Sequence, residues 1–168
     1  MKYPTKILLA LLSVYFVFFT FFNLNWGAPF YFHPDERNIA SAISQLNFPS
    51  NLNPHFFAYG QLPIYTVYSI GVMANFINRI GTTPFNVPFD QAIIIGRIIS
   101  ALLTLALVYL IYLSALELKN QNAAILAFIF STTSVAFFEF SHFGTFEIWI
   151  SFLYLLTTFF LLKFMDNI

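Results

Sequence analysis

The sequence predicts an all-α integral membrane protein: a polytopic helical bundle with a short amphipathic helix beside the membrane in its first external loop. Three observations predict it. Of 168 residues, 59% are hydrophobic, 21% aromatic and only 8% charged, with a mean hydropathy of +0.76, outside the range of water-soluble domains. Several apolar runs approach the roughly 20 residues that a helix needs to cross a hydrocarbon core about 30 Å thick. Between the first two runs, Ile39, Ala42, Ile43 and Leu46 recur at helical spacing, with Asn38, Ser41, Ser44 and Gln45 on the other face, the pattern of a helix lying in the interface.

Charge and cysteine content narrow the chemistry. Seven Lys plus Arg balance seven Asp plus Glu, so no basic excess points to a nucleic acid partner. The absence of cysteine excludes disulfides, thiolate metal sites and a cysteine nucleophile; any metal must use oxygen or imidazole. The 24 Phe and 9 Tyr suit surfaces facing acyl chains and the membrane boundary.

Taken in order, the first apolar run covers residues 7–24, behind Lys2 and Lys6. No small-x-small cleavage site follows it, so it reads as an uncleaved helix with a cytoplasmic amino terminus. Residues 25–60 form a polar stretch punctuated by Pro29, Pro34, Pro49 and Pro54. The second run, 62–80, is interrupted by Pro63 and Gly71 and carries Asn75 and Asn78, and either crosses or lies re-entrant. A clear span is expected over 92–116, with Arg97 near its start, then a polar turn from Glu117 to Asn122. A fourth run, 123–138, ends in Glu139, Ser141, His142, Gly144, Thr145 and Glu147, and a fifth covers 148–164.

Ionisable groups at membrane depth cost about 2.5–3.5 kcal/mol each on insertion scales, so those outside span ends need a reason. His33-Pro34-Asp35-Glu36-Arg37 places an imidazole, two carboxylates and a guanidinium at the start of the amphipathic helix; Asp35 as the N-cap of that helix, with Glu36 as its first-turn partner to the dipole, is the plain alternative to chemistry. His55 lies among aromatics, where packing is the commoner role. Glu139, His142 and Glu147 surround Gly144 in a loop or broken helix, where a simple polar turn competes. The acids of the first and third clusters meet only if an even number of spans separates them. That requires the run at 62–80 not to cross; Lys2, Lys6 and Lys119 are then cytoplasmic, while Arg79 and Arg97 fall outside or at the interface.

Together these residues resemble the lipid-carrier-dependent glycosyltransferases of the GT-C fold, related to the protein O-mannosyltransferases and the lipid A aminoarabinose transferases (glycosyltransferase family 39-like). The resemblance rests on four elements in order: His33-Pro34-Asp35-Glu36; Asn53-Pro54-His55-Phe56 with Tyr59-Gly60-Gln61-Leu62-Pro63; Gly96-Arg97-Ile98-Ile99-Ser100-Ala101; and Ser141-His142-Phe143-Gly144-Thr145-Phe146-Glu147. It implies inverting transfer of a sugar from a polyprenyl-phosphate donor, within the lipid of a cell membrane, to an acceptor at the outer face. The first acid of the loop motif is the general base in such enzymes, which carries over to Asp35, with Glu36 beside it. Where those enzymes usually offer Asp in the second external loop, this chain has Glu147. With His142, His33 or His55, Glu147 would position the acceptor or hold a divalent cation; metal use varies in this fold. Arg97 would neutralise the lipid phosphate, unless it only snorkels from a span end.

The resemblance also implies that residues 1–168 are the amino-terminal catalytic module, about four spans plus one juxtamembrane or re-entrant helix, of a longer enzyme and do not turn over alone. Two other classes stay open: a transporter or lipid flippase fragment, which would place acids within spans, and a catalytically silent scaffold with a degenerate transferase fold.

Overall fold

The computed structural model describes residues 3–78 and 84–165. Its elements, in chain order, are α1 (Tyr3–Phe21), α2 (Pro34–Ser44), α3 (Leu62–Asn78), α4 (Phe89–Glu117), α5 (Gln121–Thr133), α6 (Val135–His142) and α7 (Glu147–Met165). Among the described residues the only β pairing is one isolated bridge, Asn47 with Asn51. Three helices, α1, α4 and α7, are long and apolar enough to cross a membrane, and α5 with α6 passes the same test as a pair bent by 54°, the form of a broken span or of a re-entrant loop. Among the described residues, helix α3 covers 17 residues and counts as a shorter apolar helix beside these candidate spans. Lys2 and Arg79, which entered the charge-asymmetry expectation, lie outside the described residues.

The chain divides into two compact units. One holds Asn23–Ser100 together with Phe143–Phe146; the other holds Met1–Phe22, Ala101–His142 and Glu147–Ile168. Helix α4 contributes to both.

In the second of these, α1 packs on α5 and α6, and α6 on α7. Phe138 is the aromatic hub, with ring centroids 5.2 Å from Phe16, 6.0 Å from Tyr15 and 6.2 Å from Phe19. The turn into α5 follows from local chemistry. Lys119 takes a left-handed conformation (φ 57°), and the Asn120 side chain accepts a hydrogen bond from the Ala123 amide at 3.0 Å, capping the new helix. The break before α6 falls at Ser134, whose backbone is extended. Ser131, Thr132 and Thr133 all turn their hydroxyls back onto carbonyls of the preceding turn, a pattern that bends helices.

The unit built on residues 23–100 has a core of its own. Ile39, Ala42, Ile43 and Leu46 are all buried, with Ile64, Val67 and Tyr68 of α3 and Ala92, Ile93 and Ile95 of α4. The amphipathic helix is therefore present, but its apolar face packs against protein instead of being left open to a lipid interface. Pro34 begins α2 and His33 holds the N-cap position without a side-chain cap bond. Asp35 and Glu36 are thus first-turn residues, which differs from a capping role for Asp35; proline is suited to that opening position because its missing N–H is not needed there.

The polar residues of the second apolar run also have partners. Asn75, 2% exposed, donates to the carbonyls of Pro84 and Asn86 and accepts from Gln91. Tyr68 donates to the Phe85 carbonyl and accepts from the Phe48 amide. A Cβ added at Gly71 would stand 2.8 Å from both methyl carbons of Val87, so the loop leading to α4 lies directly on α3. Asn75 and Tyr68 of α3 are covered by protein, the condition under which such groups are tolerated at membrane depth.

Candidate active site

The site lies wholly within the unit of Asn23–Ser100 and Phe143–Phe146, and its centre is an ion pair between residues far apart in sequence. Glu36 and Arg97 are 1% and 0% exposed. Arg97 donates from Nε to Glu36 Oε1 at 2.7 Å and from its second terminal nitrogen to Oε2 at 2.6 Å, a bidentate pair. Its other terminal nitrogen donates to the carbonyls of Leu24 and Trp26, each at 2.8 Å. Those carbonyls are presented by a loop wound into successive turns, in which Asn23, Asn25 and Gly27 accept the internal bonds. The guanidinium also faces the rings of Trp26 and Tyr31, 5.0 and 5.3 Å from their centroids, within cation–π range. Burial, and next Asp90, push the Tyr31 phenol above its ordinary range; Arg97 opposes this and Glu36 adds to it.

Glu36 Oε1 accepts one more hydrogen bond, from the Gly144 amide at 2.8 Å. The approach is possible because both facing positions are glycine. A Cβ at Gly144 would lie 3.2 Å from the Gly96 backbone, and one at Gly96 would lie 3.3 Å from the Gly144 Cα. Phe143–Phe146 is thereby anchored on α4. Phe143 packs edge-on to Trp26 (5.4 Å) and lies 4.4 Å from the His33 ring.

Asp35, next to Glu36, has a different environment. It is half-buried, and its Oδ1 accepts from the Tyr59 hydroxyl at 2.7 Å. Oδ2 has no partner among the described residues. The Tyr59 ring is itself fixed, stacked on Phe146 at 4.4 Å and 8° and edge-on to Phe56 at 5.4 Å. Of two adjacent carboxylates, one is consumed in the interior and one is held at the edge of the site by a single neutral donor.

The other sequence candidates separate. Arg97 is not presented to solvent or headgroups: it is buried and bonded to Glu36, Leu24 and Trp26. In this placement the guanidinium is spent on a carboxylate and two loop carbonyls. Glu36 has both oxygens engaged, so of the two acids only Asp35 is placed to accept a proton. His33 lies beside Phe143, with a buried Nδ1 that has no hydrogen-bond partner among the described residues. His55 is exposed, in a left-handed conformation (φ 50°). In the other unit, His142 is set against the carbonyls of Phe138 at 2.7 Å and Phe22 at 2.9 Å. Glu147 opens α7 and is half-buried, and its Oε2 has no partner among the described residues.

Among the described residues, no group of three or more His, Asp or Glu side chains is placed to hold a metal ion. Sequence reasoning missed Tyr59 as the partner of Asp35, although it stands in a quoted motif, and the Gly96–Gly144 contact, for which paired glycines in two of the four motifs were the available signal. Compared with known proteins, the chain matches no family model, no curated protein and no solved structure.

Proposed function

We propose that the chain is the catalytic module of a membrane glycosyltransferase that moves a sugar from a polyprenyl-phosphate carrier to an acceptor at the outer face of a cell membrane. The reading rests on the resemblance of the four motifs. The observation that carries it further is the division of labour between adjacent acids: Glu36 is spent on Arg97 and Gly144, while Asp35 keeps one oxygen open and the other on Tyr59.

In the proposed reaction, the open oxygen of Asp35 takes the proton of an acceptor hydroxyl as that oxygen attacks C1 of the sugar. The bond from C1 to the phosphate oxygen breaks, and the polyprenyl phosphate leaves with the electron pair, giving inversion. Tyr59 holds the base in place; Glu36 and Arg97 hold the backbone on either side of it.

The hydrogen bond from Gly144 to Glu36 also supports the one-face arrangement of the two acidic loops. Residues 36 and 144 reach the same side only if an even number of crossings separates them. With α4 and the bent α5–α6 pair as those crossings, α3 does not cross. Apart from Glu139 within α6, the acids of the described residues then lie at helix ends, which counts against a transporter.

The test is transfer of labelled hexose from polyprenyl-phosphate hexoses by membranes carrying the chain in its full-length natural protein. Asp35→Asn is expected to lower the rate about 10²–10⁴-fold, the usual worth of a general base, with unchanged membrane yield and thermal unfolding. No transfer by the wild type, or equal transfer by Asp35→Asn, overturns the proposal; the first result would favour a silent scaffold.

A further inference from the structure

Beside Asp35 on α2 lies a small polar pocket of about 170 Å³ that no step of the proposed reaction uses. Its walls include Asn38, Ser41 and Gln45 from α2 and Pro54, His55 and Phe56 from the following loop. Asp35, Asn38, Ser41 and Gln45 follow one another at three- and four-residue steps, so the pocket continues the same face of α2 on which the open carboxylate sits. Phe56 joins the two from the other side, its ring packed against Tyr59, which bonds Asp35.

The chemistry of the lining selects a class of ligand. None of the lining side chains carries a fixed charge, so nothing there balances a phosphate or a carboxylate. An amide, a hydroxyl, a second amide and an imidazole offer closely spaced donors and acceptors, and one aromatic face stands beside them. The volume falls below the roughly 300–1,000 Å³ typical of drug-sized sites and suits a single ring. His55 is held toward this wall in its left-handed conformation by a bond from its amide to Asn53 Oδ1 at 2.9 Å, a strained backbone of the kind found at ligand sites.

We infer that this pocket binds one sugar ring of an uncharged, polyhydroxylated acceptor. The part that names the ligand as the acceptor rests on the transferase reading. A phosphate-bearing donor would require a cation that the pocket lacks, so the donor belongs elsewhere and the acceptor lies along α2 with a hydroxyl directed at Asp35. The lining positions 38, 41, 45 and 55 are exposed and tolerate change without disturbing the core.

The probe is a panel of methyl hexopyranosides, with binding to the full-length protein in detergent read by saturation-transfer NMR. Wild type and Asp35→Asn are both expected to bind at least one member. Asn38→Ala, Gln45→Ala and His55→Ala should each weaken that binding about three- to tenfold, the worth of one neutral hydrogen bond, and Ser41→Trp, which fills the pocket, should abolish it. Absence of any wild-type signal, or a signal untouched by Ser41→Trp, overturns the inference. The readout is independent of catalysis: sugar binding lost in Ser41→Trp while sugar transfer is absent from the wild type would uphold the pocket and defeat only the transferase reading.

Discussion

Adjacent carboxylates in the first loop have opposite fates because of what each reaches. Glu36 points into the unit and meets a guanidinium with two hydrogen bonds, at 2.6 and 2.7 Å, and an amide at 2.8 Å. Removing one partner of such a buried pair strands the other charge, at a cost of about 3–5 kcal/mol. Glu36→Ala and Arg97→Ala are each expected to lower the thermal unfolding temperature of the purified protein sharply, whereas Asp35→Asn leaves it near the wild-type value; similar stability across the three variants would contradict the assignment. Tyr59→Phe keeps the stack on Phe146 and removes only the hydroxyl that holds Asp35. On the transferase reading it should lower kcat by about tenfold, near the lower worth of a hydrogen bond to a charged group, with little change in unfolding temperature.

At the scale of elements, close backbone approaches decide the geometry. Gly144→Ala would put a methyl 3.2 Å from the Gly96 backbone, and since backbone cannot give way as a side chain does, a loss of about 1–3 kcal/mol is expected. Gly71→Ala meets instead the methyl carbons of Val87 at 2.8 Å. It should be destabilising alone and partly rescued by Val87→Ala, measured by unfolding in a double-mutant cycle; strict additivity would show that the contact is not what limits the position. Helices of this kind were legible in the sequence where an apolar run or a 3.6-residue period dominates, as in α1, α4, α7 and the Ile39–Ala42–Ile43–Leu46 stripe. The break at Ser134 was not, because three consecutive hydroxyl residues look like a small polar patch until their bonds to the preceding turn are seen. The pairing of Glu36 with Arg97 was also beyond sequence reading. Local spacing carries no information on a contact across 61 positions, and an arginine near a span end has a plausible surface role until its burial is known.

For the whole molecule, the second apolar run was the point at which the sequence ran out. Its composition fits a span or a re-entrant helix equally, since Asn75, Tyr68 and Gly71 are informative only once the loop covering them is in view. With Gly144 bonded to Glu36 and α3 a shorter apolar helix among the described residues, the proposed arrangement puts both acidic loops on one side of the membrane and the α4–α5 turn on the other. Labelling single cysteines with an impermeant reagent on intact cells tests this directly, in a chain with no native cysteine. Exposed positions are available at Ser41 and Asn122, and the half-buried Phe143 stands in the loop between α6 and α7. Ser41→Cys and Phe143→Cys are expected to label from outside and Asn122→Cys only after the membrane is opened; labelling of Ser41→Cys and Phe143→Cys from opposite sides would overturn the arrangement.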